Sequence, residues 1–241
     1  MKKKISKVFG TVITAGLAAG ATMSALAYEA GDIIVRAGYA NVSPNDDSDP
    51  LAVPALDISA IPGTSVEVDS GSALGITIGY MLTSTLGIEL LAATPFEHDI
   101  EAVVDGEKAD VGSAKHLPPT LSLVWYPMGE GNSALQPYLG VGVNYTTFFE
   151  EDVDSEVESV ASDLAGIPIN LDLELEDSWG LAAQIGVDYS LNDKWHLNAS
   201  VRWIDINTEA ELSMSGVGDI ITVDDVEIDP VVYQLNVGYT F

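Results

Sequence analysis

Apolar side chains alternate with small or polar ones through several uncharged stretches of this 241-residue sequence. Successive side chains of a β-strand point to opposite faces of the sheet, so a period of two indicates strands with one apolar face. The clearest stretches are 74–82, 117–126, 139–146, 179–189, 195–203 and 231–241, while 32–42 and 86–96 alternate less cleanly. The pattern predicts eight strands.

The connections between these stretches are of two kinds, which alternate along the chain. Four are long and hold 29 of the 37 acidic residues, in segments 43–71, 97–115, 150–177 and 207–228. Three are short, at 83–85, 127–135 and 190–193. Outer-membrane barrels have long external loops and short periplasmic turns, which favours this class over a soluble β-sandwich with the same alternation.

The spacing of aromatic residues fits a bilayer. Trp179 and Tyr189 lie ten residues apart on one face of a stretch. At roughly 3.3 Å per residue and a tilt of about 40°, this separation covers about 25 Å, the height of the apolar band of a membrane barrel. Residues 28–241 contain no apolar run long enough for a membrane helix, and only a closed barrel then satisfies the backbone in lipid.

We therefore predict an all-β fold for residues 28–241, as a single domain. It is an eight-stranded antiparallel transmembrane β-barrel with four long acidic extracellular loops and short periplasmic turns.

Both ends of the sequence indicate export to the outer membrane of a bacterium. Residues 1–27 combine basic residues, a short apolar run and a small-x-small sequence at 25–27, which predicts a cleaved secretory signal peptide. The last residue, Phe241, resembles the terminal aromatic signal that the barrel-assembly machinery reads. We expect that machinery, outer-membrane lipid and lipopolysaccharide as partners, and the sequence leaves the oligomeric state open.

The composition excludes several other functions. Residues 28–241 hold five Lys or Arg against 37 Asp or Glu, so binding to a nucleic-acid backbone is excluded. The absence of Cys removes thiolate ligands and disulfides. The acidic run at 152–156 lacks the Gly and the Glu of a calcium loop, so we expect neither a cofactor nor a metal site.

Several long runs resemble one family in order along the chain. They are 88–96 (IELLAATPF), 116–121 (HLPPTL), 137–149 (PYLGVGVNYTTFF), 177–180 (DSWG) and 186–189 (GVDY). In these runs the sequence is similar to the OmpW family of small outer-membrane porins. The resemblance implies an eight-stranded barrel with a narrow, largely apolar lumen that passes small hydrophobic molecules. One related branch takes up alkanes, and some members serve as bacteriocin receptors.

The resemblance also implies a constriction in the lumen. A Leu–Trp pair narrows the lumen of a family member. Its Leu matches Leu91. Its Trp aligns with Arg202, and Trp203 is the next residue in this sequence. A cation then replaces an indole, and we expect a less apolar constriction. By parity Arg36, Glu89 and Arg202 point inward, and because unpaired charges in a narrow lumen are costly, we expect Glu89 to neutralise at least one arginine.

Two functions remain open at this point. Eight strands enclose an interior that side chains can just fill, which would suit a surface protein for adhesion, stress response or bacteriocin or phage recognition. The many small residues on the inward face instead predict unfilled space and favour transport. Catalysis is not expected, because His196 and Ser200 lie roughly 13 Å apart along one strand, too far for a nucleophile and its base.

Three prolines predict an opening in the barrel wall. Residues 86–96 and 117–126 should form a hairpin around Gly106, which places Pro95 opposite Pro118 and Pro119. Proline cannot donate to the strand ladder, so we expect the ladder to stay open there, as a lateral exit for apolar solutes between the third and fourth strands. The alternative is that these prolines merely end the strands at the loop boundary.

Overall fold

A computed structural model describes residues 28–129 and 133–241, and the predicted signal peptide at 1–27 lies outside the described residues. The described strands are β1 (Ile33–Ser43), β2 (Asp47–Ser48), β3 (Thr64–Val68), β4 (Gly71–Met81), β5 (Leu86–Ala93), β6 (Phe96–Val104), β7 (Glu107–Leu117), β8 (Thr120–Trp125), β9 (Leu135–Val153), β10 (Leu171–Leu175), β11 (Ser178–Ser190), β12 (Trp195–Ile204), β13 (Asn207–Met214), β14 (Gly218–Glu227) and β15 (Val231–Thr240). A 3₁₀ turn spans Pro54–Leu56 and one helix, α1, spans Ser155–Ala165.

Eight of these strands form the barrel: β1, β4, β5, β8, β9, β11, β12 and β15. Each is antiparallel to its neighbours, and the pairing of β9 with β11 closes the ring. The predicted eight-stranded antiparallel barrel is confirmed. Among the described residues, no helix is both long and apolar enough to cross a membrane.

The two faces of the barrel wall follow the alternation in the sequence. Exposed apolar side chains cover the outer face, among them Leu74, Ile78, Leu121, Leu139, Leu181 and Leu235. Buried polar side chains alternate with them on the inner face, among them Thr77, Ser122, Asn144, Gln184 and Gln234. Aromatic pairs mark both rims, with Tyr145 against Trp179 at the extracellular end and Trp195 against Tyr239 at the periplasmic end.

The inward glycines do not leave the periplasmic half of the lumen empty, contrary to the expectation from the sequence. A Cβ added to Gly186 would lie 2.3 Å from the Tyr138 ring, and one added to Gly238 would lie 2.0 Å from Nε2 of His196. Large side chains from neighbouring strands therefore lie directly over these glycines. The missing side chains make room for longer ones that reach across the lumen.

The acidic segments fold into β-sheet above the barrel. Strands β3, β6 and β7 continue the barrel wall outward along the end of β9. Strands β10, β13, β14 and β2 form a separate four-stranded sheet. Helix α1 lies between β9 and β10; its N-cap, Asp154, accepts a hydrogen bond from the backbone N–H of Glu156, and Gly166 ends it in the left-handed conformation. The predicted long loops are thus largely two sheets that face each other.

Candidate functional site

Four charged side chains meet inside the barrel. Arg36 donates from Nη1 to Glu89 at 2.7 Å and from Nη2 to Asp188 at 2.7 Å. Arg202 donates from Nη2 to the other oxygen of Glu89 at 2.9 Å. All four residues are buried, so two guanidinium groups are balanced by two carboxylates. The inward residues Arg36, Glu89 and Arg202, which parity predicts, are brought together by the closure of the barrel.

Neutral side chains complete this polar layer. Gln184 donates to Glu89 at 2.9 Å and accepts from Arg202. The hydroxyl of Tyr28 donates to Asp188 at 2.7 Å, and that of Tyr126 accepts from Arg36 at 2.8 Å. We call the cross-linked set Arg36, Glu89, Asp188, Arg202, Gln184, Tyr28 and Tyr126 the lumen floor. It crosses the lumen and connects β1, β5, β11 and β12.

Sequence reasoning missed Asp188 as a member of this network. The signal was present, because Asp188 is the one acidic residue of the otherwise uncharged stretch 179–189. Ionisable residues at membrane depth are rare and usually pair with one another inside the structure. Asp188 binds Arg36 and Tyr28, and it also accepts a hydrogen bond from Asn198 at 2.8 Å.

The predicted constriction residues divide between the two faces of the wall. Leu91 is buried in the lumen, where it pairs with Thr77 and Thr120 at the upper side of the lumen floor. Trp203 does not line the lumen: it is 40% exposed and lies on the outer face. The reason is strand parity, since Arg202 and Trp203 are adjacent and only one of them can point inward. Grouping Trp203 with the constriction was wrong.

Above the lumen floor the interior becomes apolar. A packed layer that includes Ala40, Val42, Phe96, Ile204 and Val232 lies over the charges. Beyond it, a cavity of about 190 Å³ lies between the two extracellular sheets. Its wall includes Val66, Ile100, Ala114, Phe148, Leu212 and Val223. Among the lining residues only His98, His116 and Thr208 carry polar side chains, so the cavity suits an apolar occupant.

The backbone ladder between the third and fourth barrel strands stops before the ladder of the extracellular hairpin begins. The last pair of the β5–β8 ladder is Leu91 with Thr120, and the first pair of the β6–β7 ladder is Phe96 with His116. No pairing joins the two strands between these points, which all lie within the described part of the chain. The interruption contains Pro95, Pro118 and Pro119, and proline has no N–H to donate to a strand ladder.

The two strands stay attached to their other neighbours across this interruption. Thr94 donates from its backbone N–H to Leu74 in β4 at 2.9 Å. The carbonyl of Pro119 accepts from the backbone N–H of Tyr145 in β9 at 3.1 Å. Between β5 and β6 the inward side chains change from odd to even positions, because Leu91 and Phe96 both point inward. The strand on the other side of the interruption shows no such change. We call this place the strand gap, formed by residues 92–95 and 117–119.

The comparison with known proteins identifies this architecture. The OmpW family matches residues 29–241. Outer membrane protein W of Vibrio cholerae is 44% identical over 227 residues, which cover 93% of this chain and 95% of that protein. The crystal structure of OprG from Pseudomonas aeruginosa has a TM-score of 0.79 at 42% identity, over 89% of this chain and 97% of that one.

A more distant structure shares the fold alone. The solid-state NMR structure of the outer membrane protein AlkL has a TM-score of 0.62 at 21% identity, over 93% of this chain and 97% of that one. The family match covers nearly all of the described residues, and the relatives are outer-membrane proteins. The chain belongs to the OmpW family and is a β-barrel of the bacterial outer membrane.

Proposed function

We propose that this protein passes small hydrophobic molecules from the cell exterior into the outer leaflet of the outer membrane. The observation that carries the proposal is the apolar cavity above a charged and hydrogen-bonded lumen floor. An apolar solute gains free energy when it leaves water for such a cavity. It would lose free energy at the floor, where polar side chains would have to separate and lose their hydrogen bonds.

The strand gap supplies a lateral route in this proposal. Phe96 begins β6 at the gap, and its ring centroid lies 5.4 Å from that of His116, which lines the cavity. Phe96 follows the gap and His116 precedes it in sequence, so the cavity wall adjoins the gap. An unpaired backbone is tolerated at membrane depth where it lines a cavity, which supports an exit between the third and fourth barrel strands.

The second candidate is a surface barrel without transport, for adhesion, stress response or bacteriocin or phage recognition. The filled lumen floor favours this candidate, because side chains there occupy the space through which a solute would pass. The two candidates differ in what reaches the membrane. Transport requires uptake of an apolar solute, whereas a surface protein requires none.

A paired measurement distinguishes these candidates. In planar bilayers we expect no stable ion conductance from the purified barrel, because the lumen floor closes the path to the periplasmic side. In cells of a bacterial host that lacks a homologue, we expect the same protein to raise the uptake rate of a radiolabelled alkane. Uptake equal to that of cells without the protein would contradict the transport proposal.

Filling the cavity should block uptake. The buried side chain of Ala114 faces the cavity, and Ala114→Trp places an indole where the solute would bind. We expect alkane uptake to fall at least about tenfold, because a packed site leaves no room for the solute. The matched control is Ala183→Trp, whose side chain is exposed on the outer face. Heat-modifiability on gels would verify that both variants form the barrel, and equal uptake by the two would argue against the cavity as the entry site.

A further inference from the structure

The apolar cavity contains two histidines that face each other. His98 in β6 and His116 in β7 lie on the inner face of neighbouring strands, offset diagonally by the pairing of Phe96 with His116. Their Nε2 atoms are 2.9 Å apart, and both residues are buried. Together with Thr208 they carry the polar side chains of the described lining. These three residues therefore decide which polar groups of a solute the cavity can bind.

The hydrogen bonds fix the positions of the protons on these side chains. Nδ1 of His98 lies at hydrogen-bond distance from the backbone carbonyl of Asp69, and a carbonyl only accepts, so this nitrogen carries a proton. In a neutral ring Nε2 of His98 is then an acceptor, and Nε2 of His116 donates to it. The hydroxyl of Thr208 donates to the carbonyl of Glu176 at 2.7 Å. The polar hydrogens of all three side chains are thus already bonded within the protein.

Both imidazole rings are neutral. The hairpin lies outside the aromatic rim of the barrel, since His116 pairs with Phe148, three residues beyond Tyr145 on β9. Burial lowers the pKa of His98, and burial together with the neighbouring His98 lowers the pKa of His116 to about 3. A neutral imidazole has one N–H and one lone pair. Because Nε2 of His116 carries the proton at physiological pH, Nδ1 of His116 holds the lone pair.

This lone pair is accessible from the cavity. Among the described residues no group donates to Nδ1 of His116, whose ring is hydrogen-bonded through Nε2. Nδ1 is also not one of the fully buried polar atoms that lack a partner, and His116 lines the cavity, so its accessible surface faces the cavity. The hydroxyl oxygen of Thr208 keeps lone pairs as well. The polar side chains of the cavity thus offer acceptors and no free donor.

We propose that the cavity selects neutral apolar molecules that carry one hydrogen-bond donor, such as a hydroxyl group, and that Nδ1 of His116 accepts from this donor. The inference rests on the proposed transport function and names the class of solute. A buried acceptor without a partner is costly, so a solute that donates to it gains free energy on binding. An ether or ketone oxygen finds no free donor on these side chains and loses its hydrogen bonds to water.

The same arrangement disfavours ionic solutes. A carboxylate requires hydrogen-bond donors, and the polar side chains of the cavity have none free. The described lining contains no Lys, Arg, Asp or Glu, so a charged group of either sign would be buried without a counter-ion. The acidic extracellular segments also repel anions before they reach the cavity. The preferred solute is therefore an apolar alcohol rather than the corresponding acid.

Two isomeric ligands isolate the effect of the donor. n-Octanol and heptyl methyl ether contain the same atoms, but only the alcohol has an O–H. Each would be titrated into the purified barrel in lipid, and the methyl resonance of Ala114, which faces the cavity, would report binding. We expect the alcohol to bind at least about fivefold more tightly than the ether, the usual effect of one added hydrogen bond.

The variants assign this preference to the histidine pair. His98→Phe/His116→Phe keeps two flat rings and removes both imidazoles, so we expect the alcohol and the ether to bind equally. His196→Phe is the matched control, because His196 is buried elsewhere in the lumen, with Nε2 3.9 Å from Asp188, and the preference should persist. Comparing the ratio of the two dissociation constants between proteins cancels the partitioning of each ligand into lipid. The same ratio in all three proteins would overturn the proposal.

A second measurement uses the unmodified protein. In nitrogen NMR spectra, n-octanol should shift the Nδ1 resonance of His116 further than heptyl methyl ether does, and leave that of His196 in place. Equal shifts with the two ligands would overturn the proposal even if a variant does not fold. n-Octane separates this inference from the function beneath it. If n-octane binds and the alcohol is not preferred, only the role of His116 fails, whereas binding of none of the three ligands would refute the cavity itself as a solute site.

Discussion

Glu89→Gln should lower the free energy of unfolding of the barrel by about 3–5 kcal/mol, the usual effect of removing one partner from a buried ion pair. Glu89 is the acceptor for both Arg36 and Arg202. The amide keeps the shape of the carboxylate, so packing is preserved. It removes one of the two negative charges of the lumen floor. Because each oxygen of Glu89 accepts from a different arginine, the new NH₂ group faces one of the two as donor against donor.

A surface ion pair provides the control for this prediction. Glu67 lies 2.7 Å from Lys108, and both side chains are nearly half exposed. Glu67→Gln should change stability by less than about 1 kcal/mol, because water solvates exposed charges in either case. Urea unfolding in lipid bilayers measures both variants under the same conditions. Equal losses of stability would mean that the lumen floor does not depend on the charge of Glu89.

The faces of the barrel wall could be predicted from sequence because a strand has a fixed period of two. Parity alone places Arg36, Glu89 and Arg202 inside. The partners across the lumen could not be predicted in the same way. Arg36 meets Asp188, 152 positions away in the sequence, and which inward residues share a height depends on the stagger with which the barrel closes.

The extracellular sheets show a different limit of sequence analysis. The sequence predicts long acidic loops for these segments, although residues 171–176 (LDLELE) alternate with period two. The acidic side chains of such a strand show only that one of its faces contacts solvent. The apolar residues on the other face, such as Leu173 and Leu175, line the cavity. A short strand has only two or three apolar residues on its buried face. Their alternation is easily overlooked in the sequence, because acidic residues lie between them.

The prolines were informative for a chemical reason. A missing N–H is a property of the residue itself, so Pro95, Pro118 and Pro119 predict an interruption wherever they lie opposite each other. The change of inward parity between Leu91 and Phe96 was not predicted, because it follows from the extra residue at the interruption. The use of the gap as an exit is a proposal that needs its own test.

Closing the strand gap with a covalent bond should abolish lateral exit. Continuing the pairing of Leu91 with Thr120 places Thr94 opposite Leu117 across the gap. The natural chain has no Cys, so Thr94→Cys with Leu117→Cys introduces the only thiols. We expect the oxidised barrel to take up an alkane at least about tenfold more slowly than the reduced one, because the route from cavity to lipid passes between these strands.

The matched control places the same bond where the ladder is already continuous. Ile88 and Leu123 are paired in the same two strands, and both are exposed on the outer face. The central measurement is alkane uptake by the Thr94→Cys/Leu117→Cys and Ile88→Cys/Leu123→Cys barrels, each oxidised and then reduced in the same cells. The lateral route predicts a loss on oxidation, reversed by reductant, at the gap alone. Equal uptake by the oxidised and reduced forms of the gap variant would contradict it.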